Sequence, residues 1–143
     1  YEKAIKYLKS LDRTKEERFL YPLYRGVRDT SWENLITTVF DDKFVSNCVA
    51  GSKLLVVSEE GDVMPCEILD KDKGLGNIRD YNYDIYKLLK QQKSLEVNKW
   101  IKKTKCKCSF ECALSANVTW NASQYPKLIK NSLKNIGTKE NKI

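Results

Sequence analysis

"CVAGSKLLVVSEEGDVMPCEIL", residues 48–69, decides how this chain is read. Two apolar runs, "KLLVVS" at 53–58 and "VMPC" at 63–66, flank the polar "EEGD" at 59–62. Short apolar runs around a glycine-bearing turn predict an antiparallel β-hairpin, with Gly61 taking the positive φ that other side chains resist. Pro65 has no N–H to give, so the second strand is expected to be short or to lie on an edge. A cysteine stands at each end: Cys48 before the hairpin and Cys66 at its exit.

Outward from the hairpin the periodicity becomes helical. Tyr1, Ala4, Ile5 and Leu8 fall at i, i+3, i+4, i+7 and predict a half-buried helix over 1–11. Pro22 and Gly26 read as a break, followed by a capping box at Thr30 and Glu33 and a helix over 31–43. Trp32, Leu35, Ile36, Val39 and Phe40 form the apolar stripe of that helix, which reads as core packing. After a glycine- and aspartate-rich loop at 70–80, a helix is expected near 82–92 with Tyr81, Ile85, Leu88 and Leu89 on one face. Ser94 is placed to cap another helix carrying Val97, Trp100 and Ile101, with the remaining cysteines in the loop after it. Ser123 and Pro126 open a last helix bearing Tyr125, Leu128, Ile129 and Leu133; Gly137 ends it, and residues 138–143 are expected to fray. The fold class is α+β: a small antiparallel hairpin followed by helices and preceded by one or two more.

Composition narrows the chemistry. With 143 residues and 41% apolar side chains, the chain suits one domain with a real core. Histidine is absent, which excludes histidine triads, imidazole proton shuttles and any zinc site needing an imidazole ligand. Metal chemistry must rest on thiolates and carboxylates. No apolar run approaches the roughly 20 residues that span a bilayer, so no membrane association is expected. The five cysteines leave one thiol over in any disulfide framework, and residues 1–20 hold no signal-peptide-like apolar block; both favour the reducing cytoplasm. The sequons at Asn117 and Asn121 are then incidental. Starting at Tyr1, the chain reads as a portion of a longer protein.

Charge is concentrated late. The net charge is +7, and residues 81–143 carry 13 basic against 4 acidic groups with no arginine. Lys99, Lys102, Lys103, Lys105 and Lys107 crowd against "KCKCSFEC" at 105–112. A solvated helix face accounts for them; phosphate binding is a second reading, weakened because bidentate base contacts favour arginine. A third is electrostatic support of thiolates, whose pKa falls beside positive charge.

Cys106, Cys108 and Cys112 stand within seven residues, while Cys48 and Cys66 flank the hairpin. Thiolates so grouped make a soft site suited to zinc or an iron–sulfur cluster. Single free cysteines are common core residues, but five, three of them in one lysine-rich loop, point to metal. Spacing does not choose the metal, although the two C-x2-C pairs of a zinc ribbon are missing.

The stretch at 48–69, "LGNIRD" at 75–80 and "IKKTKCKCSFECAL" at 101–114 together resemble the SPASM/twitch region at the C-terminus of many radical SAM enzymes. Cys48, twelve residues, Gly61, four residues and Cys66 fit that family's C-x9–15-G-x4-C pattern, and the "GDVMPC" and "GNI" turns match as well. The resemblance covers about residues 46–116. A full SPASM domain has seven cysteines for two auxiliary clusters; this chain keeps the final C-x3-C step as Cys108 and Cys112, so the one-cluster twitch variant is closer. The resemblance implies an auxiliary [4Fe-4S] cluster held by Cys48, Cys66, Cys108 and Cys112, with Cys106 as substitute for Cys108. The C-x3-C-x2-C motif of the SAM-cleaving cluster is absent from the chain. Residues 1–45 would then be the end of the barrel and its bridging helix, and 117–143 a C-terminal helix and tail. S-adenosylmethionine and a second [4Fe-4S] cluster would belong to a barrel in the same parent chain, acting on a peptide, protein or small molecule. The competing readings are a zinc-stabilised module binding nucleic acid through its lysines, and a cysteine-dependent redox protein lacking C-x-x-C.

Overall fold

Pro22 starts a helix instead of breaking one. In the computed structural model, which describes residues 3, 4, 6, 7 and 20–136, helix α1 spans Tyr21–Phe40 with Pro22 in its first turn, where a missing N–H costs nothing. Thr30 and Glu33 therefore lie inside the helix, and the expected capping box does not form. The buried stripe is Gly26, Thr30, Ser31, Asn34, Leu35 and Thr38, joined by Trp32. Apart from Leu35 and Trp32 it is small and polar. Val39 and Phe40, expected in the core, are 53% and 63% exposed.

That polar stripe faces the last helices, α4 (Glu111–Trp120) and α5 (Tyr125–Lys134). At Gly26 a Cβ would stand 2.0 Å from Ser132 Oγ, so α1 and α5 approach this closely only because the position is glycine. Asn34 Nδ2 donates to Gln124 Oε1 (2.8 Å), Lys127 Nζ to Asn34 Oδ1 (2.9 Å), and Asn131 Nδ2 to Thr30 Oγ1 (3.1 Å). Buried amides need such partners, and here they find them across the interface. On α5, Leu128 and Asn131 are buried while Ile129 and Leu133 of the expected apolar face are exposed.

The hairpin forms, with one strand more. β1 (Val56–Val57), β2 (Asp62–Met64) and β3 (Gly76–Asn77) make an antiparallel sheet in the order β1-β2-β3. Val57 pairs with Val63, and Val63 with Gly76. β2 is short, stopping just before Pro65, but it is central and not an edge. Gly61 has φ +90°, as its turn demands. The "GNI" segment, expected as a turn, adds the third strand and fastens the hairpin tip. Asn77 Nδ2 donates to Glu60 O and Asp62 Oδ1, both at 2.9 Å, and Arg79 Nη2 to Glu59 O at 2.9 Å.

The helix expected near 82–92 is shorter: after a 3-10 turn at Ile78–Tyr81 comes α2 (Ile85–Leu89), capped by Asp84 accepting from Tyr86 N and Lys87 N. Helix α3 runs Gln92–Lys103. Ser94 lies inside it and not at its cap, since the buried Oγ donates to Leu88 O (2.8 Å) and ties α3 to α2. Helix α4 was not expected from the sequence, and it takes Cys112 out of the loop into its first turn. Cys48, Ala50, Val63, Cys66, Leu75, Leu88, Val97 and Ile101 form the buried apolar cluster between sheet, α2 and α3. Near the N-terminus Lys3, Ala4, Lys6 and Tyr7 are helical and exposed. Tyr1, Ile5, Leu8, Gly137 and the tail 138–143 lie outside the described residues. No helix among the described residues is long and apolar enough to cross a membrane.

Candidate metal centre

Cys48 and Cys66 belong to the apolar cluster itself. Both are buried, one before β1 and one just after β2, so the short sheet holds them at its end. Cys106 and Cys108 come from the segment after α3, whose last turn delivers them against that end: Ile101, fully buried, accepts at its carbonyl from Cys106 N (3.4 Å). Lys105 reverses the chain there with φ +49°. The four cysteines line one pocket, walled otherwise by apolar side chains such as Ala50, Leu69, Ile101 and Phe110. Its volume of about 40 Å³ is several times the ~10–15 Å³ that one water needs. Cys112, at the start of α4, is exposed and does not line it.

The sulfurs sense one another. Interaction with the Cys106 thiol, stronger than the opposing cost of burial, holds the Cys48 pKa down to about 6; the Ala50 backbone N–H and the Asn117 side chain add to the effect. Cys106 is pushed well up by its interaction with Cys48, then by burial and by the charges of Cys108 and Cys66. Burial also raises Cys108, against the Phe110 N–H that donates to its sulfur at 3.2 Å. Thiols that resist ionising side by side in an apolar pocket are an arrangement a soft cation would relieve, since metal binding displaces the protons and neutralises the thiolates. N–H donors aimed at sulfur are the other feature that such sites use to tune a bound cluster.

The donor set fits a thiolate-bound metal or cluster, but the sulfurs line the pocket without converging on a point. Among the described residues, no three cysteine or carboxylate side chains are drawn together as a closed ligand set. Of the lysines of 99–107, only Lys107 lines the pocket; its Nζ donates to Asp42 O (3.1 Å) and pairs with the Asp42 carboxylate.

Asn117 had no sequence signal except an incidental sequon. It is 3% exposed on α4, and its Oδ1 accepts from Val49 N at 2.8 Å, holding the backbone next to Cys48. Buried there, it is unavailable as a glycan acceptor in the folded chain. Its helix was not anticipated, so nothing in the sequence placed it beside Cys48.

A family model for SPASM, an iron–sulfur cluster-binding domain, matches residues 48–113. This stretch resembles the SPASM domain. The match begins at Cys48, the first of the pocket cysteines, and ends at Ala113, another residue of the pocket wall. The α+β architecture, with its small antiparallel sheet, is consistent with such a domain. No curated protein and no solved structure matches the chain.

Proposed function

We propose that this chain is the auxiliary-cluster portion of a radical SAM enzyme, with a [4Fe-4S] cluster held in the cysteine pocket. The SAM-cleaving barrel, with its own [4Fe-4S] cluster, would belong to the same parent chain, residues 1–45 leading from it, in the cytoplasm. The observation that carries the reading is one pocket lined by four thiols, from either end of the hairpin and from the segment after α3, within the stretch matching an iron–sulfur domain. When bound, such a cluster supplies an electron-relay or substrate-holding centre. The chain's own residues supply the thiolates, the N–H groups that face them and the apolar wall that limits water.

Cys48 and Cys66 are the anchors in every assignment. The family spacing favours Cys108 with Cys112; the pocket favours Cys106 with Cys108. We take the pocket set, because Cys112 would have to leave an exposed position on α4 to join it.

Anaerobic reconstitution with iron and sulfide should give a brown protein with about four irons per chain. Cys48→Ala, Cys66→Ala and Cys106→Ala should each lose most of the iron, and Cys112→Ala should keep it. The reverse result for Cys106 and Cys112 would restore the family spacing as the ligand set. A colourless chain holding one stoichiometric zinc under these conditions overturns the cluster and favours a zinc-stabilised module.

A further inference from the structure

Cys108 belongs to both ligand sets weighed above, so what surrounds its sulfur does not depend on the choice between Cys106 and Cys112. Its Sγ accepts from Phe110 N at 3.2 Å, and its S–H reaches Phe110 O at 3.8 Å. Both residues line the pocket, and Phe110 is the N-cap of α4, with extended backbone at φ −88° and ψ 119°. An N–H at that position precedes the intrahelical ladder and must find a partner elsewhere. Here the sulfur takes it, while Phe110 O accepts the Leu114 N–H at 3.0 Å that starts the helix. The two sulfur contacts respond oppositely to a metal. Metal binding displaces the thiol proton and so removes the S–H contact, whereas an N–H bond to a sulfur that has become anionic is charge-assisted and strengthens.

We propose that Phe110 is a positioning residue for the metal centre, its backbone N–H holding the Cys108 thiolate and thereby tuning the bound cluster. The inference rests on the cluster reading above. Hydrogen bonds to the sulfurs are among the levers that set a cluster's potential. A donor offsets negative charge, so it favours the reduced cluster, which carries more of that charge.

Phe110→Pro and Phe110→Ala separate the N–H from the ring. Both lose the ring from the pocket wall, but only proline loses the N–H, and a φ of −88° lies near the value that proline enforces. The reconstituted 143-residue chain and the two variants are compared for iron per chain, midpoint potential, rate of iron release to a chelator, and melting temperature with and without iron. Alanine is the reference, since water admitted by the missing ring acts on both variants. The expected result for Phe110→Pro is a midpoint potential more negative than that of Phe110→Ala, faster iron release, and a narrower gap between the iron-loaded and iron-free melting temperatures. Equal potentials and release rates in the two variants overturn the inference while leaving the cluster reading intact. So does an equal fall of both melting temperatures in Phe110→Pro with an unchanged gap, which would mark a structural role only. Should Phe110→Pro fail to fold, hydrogen exchange at the Phe110 amide of the parent decides. Protection that rises on iron loading more than at Glu111 supports the inference, and protection that does not rise overturns it. A parent chain that takes up no iron overturns the cluster reading itself and this inference with it.

Discussion

The two halves of this molecule are held together by opposite means. Around the sheet, α2 and α3, the buried residues are Val63, Leu75, Leu88, Val97 and Ile101 with Cys48 and Cys66. Between α1, α4 and α5 they include Thr30, Ser31, Asn34, Asn117, Gln124 and Asn131. Apolar burial is non-directional and tolerates small shifts, whereas buried amides hold only while their partners stay within hydrogen-bond reach. The thiols sit on the apolar side, where the wall excludes water. The polar side bonds the backbone next to Cys48 through Asn117, and the loop after α1 pairs with the pocket residue Lys107 through Asp42.

The largest effect should come from the apolar half. Leu88 is fully buried, in contact with the cluster that includes Cys48 and Cys66. Leu88→Ala should cost about 2–5 kcal/mol, from lost burial and the cavity left behind. Because the same cluster seats the cysteines, iron uptake should fall with stability, measured as iron per chain against denaturant midpoint. Full iron in a strongly destabilised variant would show that the pocket is held by its loops and not by the core.

The polar half should respond differently. Gly26→Ala would bring its Cβ to 2.0 Å from Ser132 Oγ and 2.9 Å from Ser132 N, and the backbone atom cannot rotate away. The usual gain of alanine over glycine in a helix, up to ~1 kcal/mol, is then outweighed by overpacking worth about 1–3 kcal/mol. Iron content should stay near the parent's, because α1 contributes no pocket residue. Thermal melting and iron assay of this one variant test whether the halves are separable. Parallel loss of iron would make the helical layer part of the site.

The same contrast explains what the sequence disclosed. The hairpin, Gly61 and the apolar positions Leu88, Val97 and Ile101 were legible because burial there follows hydrophobic periodicity. Cys48 and Cys66 were legible through their spacing around Gly61. Helix α1 was misread at its start because its buried stripe is threonine, serine, asparagine and glycine, which a hydrophobic pattern passes over. The visible stripe ending at Val39 and Phe40 pointed instead to a surface that remains exposed. Helix α4 has no capping side chain, and its buried positions include Asn117, so neither cap nor pattern announced it. Missing α4 left Cys112 in a loop, and that is why its separation from the other four thiols was not foreseen.

The smallest effect is expected where the halves touch at the surface. Lys107 lines the pocket with its stem while its ammonium pairs with Asp42, whose side chain is 85% exposed. Exposed ion pairs contribute about 0–1 kcal/mol and are screened by salt. Lys107→Met keeps most of the apolar stem and removes only the charge. Its stability should therefore lie within about 1 kcal/mol of the parent's, with the difference shrinking as salt is raised. Iron content should not change, since no ligand and none of the apolar core is altered. If Lys107→Met instead lost iron at unchanged stability, the ammonium would be acting on the thiolates rather than on Asp42. The lysines of 99–107 would then belong to the metal site and not to a solvated face. Salt dependence of iron release, compared between parent and variant, distinguishes the two: a surface pair gives no difference, and a charge that holds the thiolates gives one that high salt suppresses.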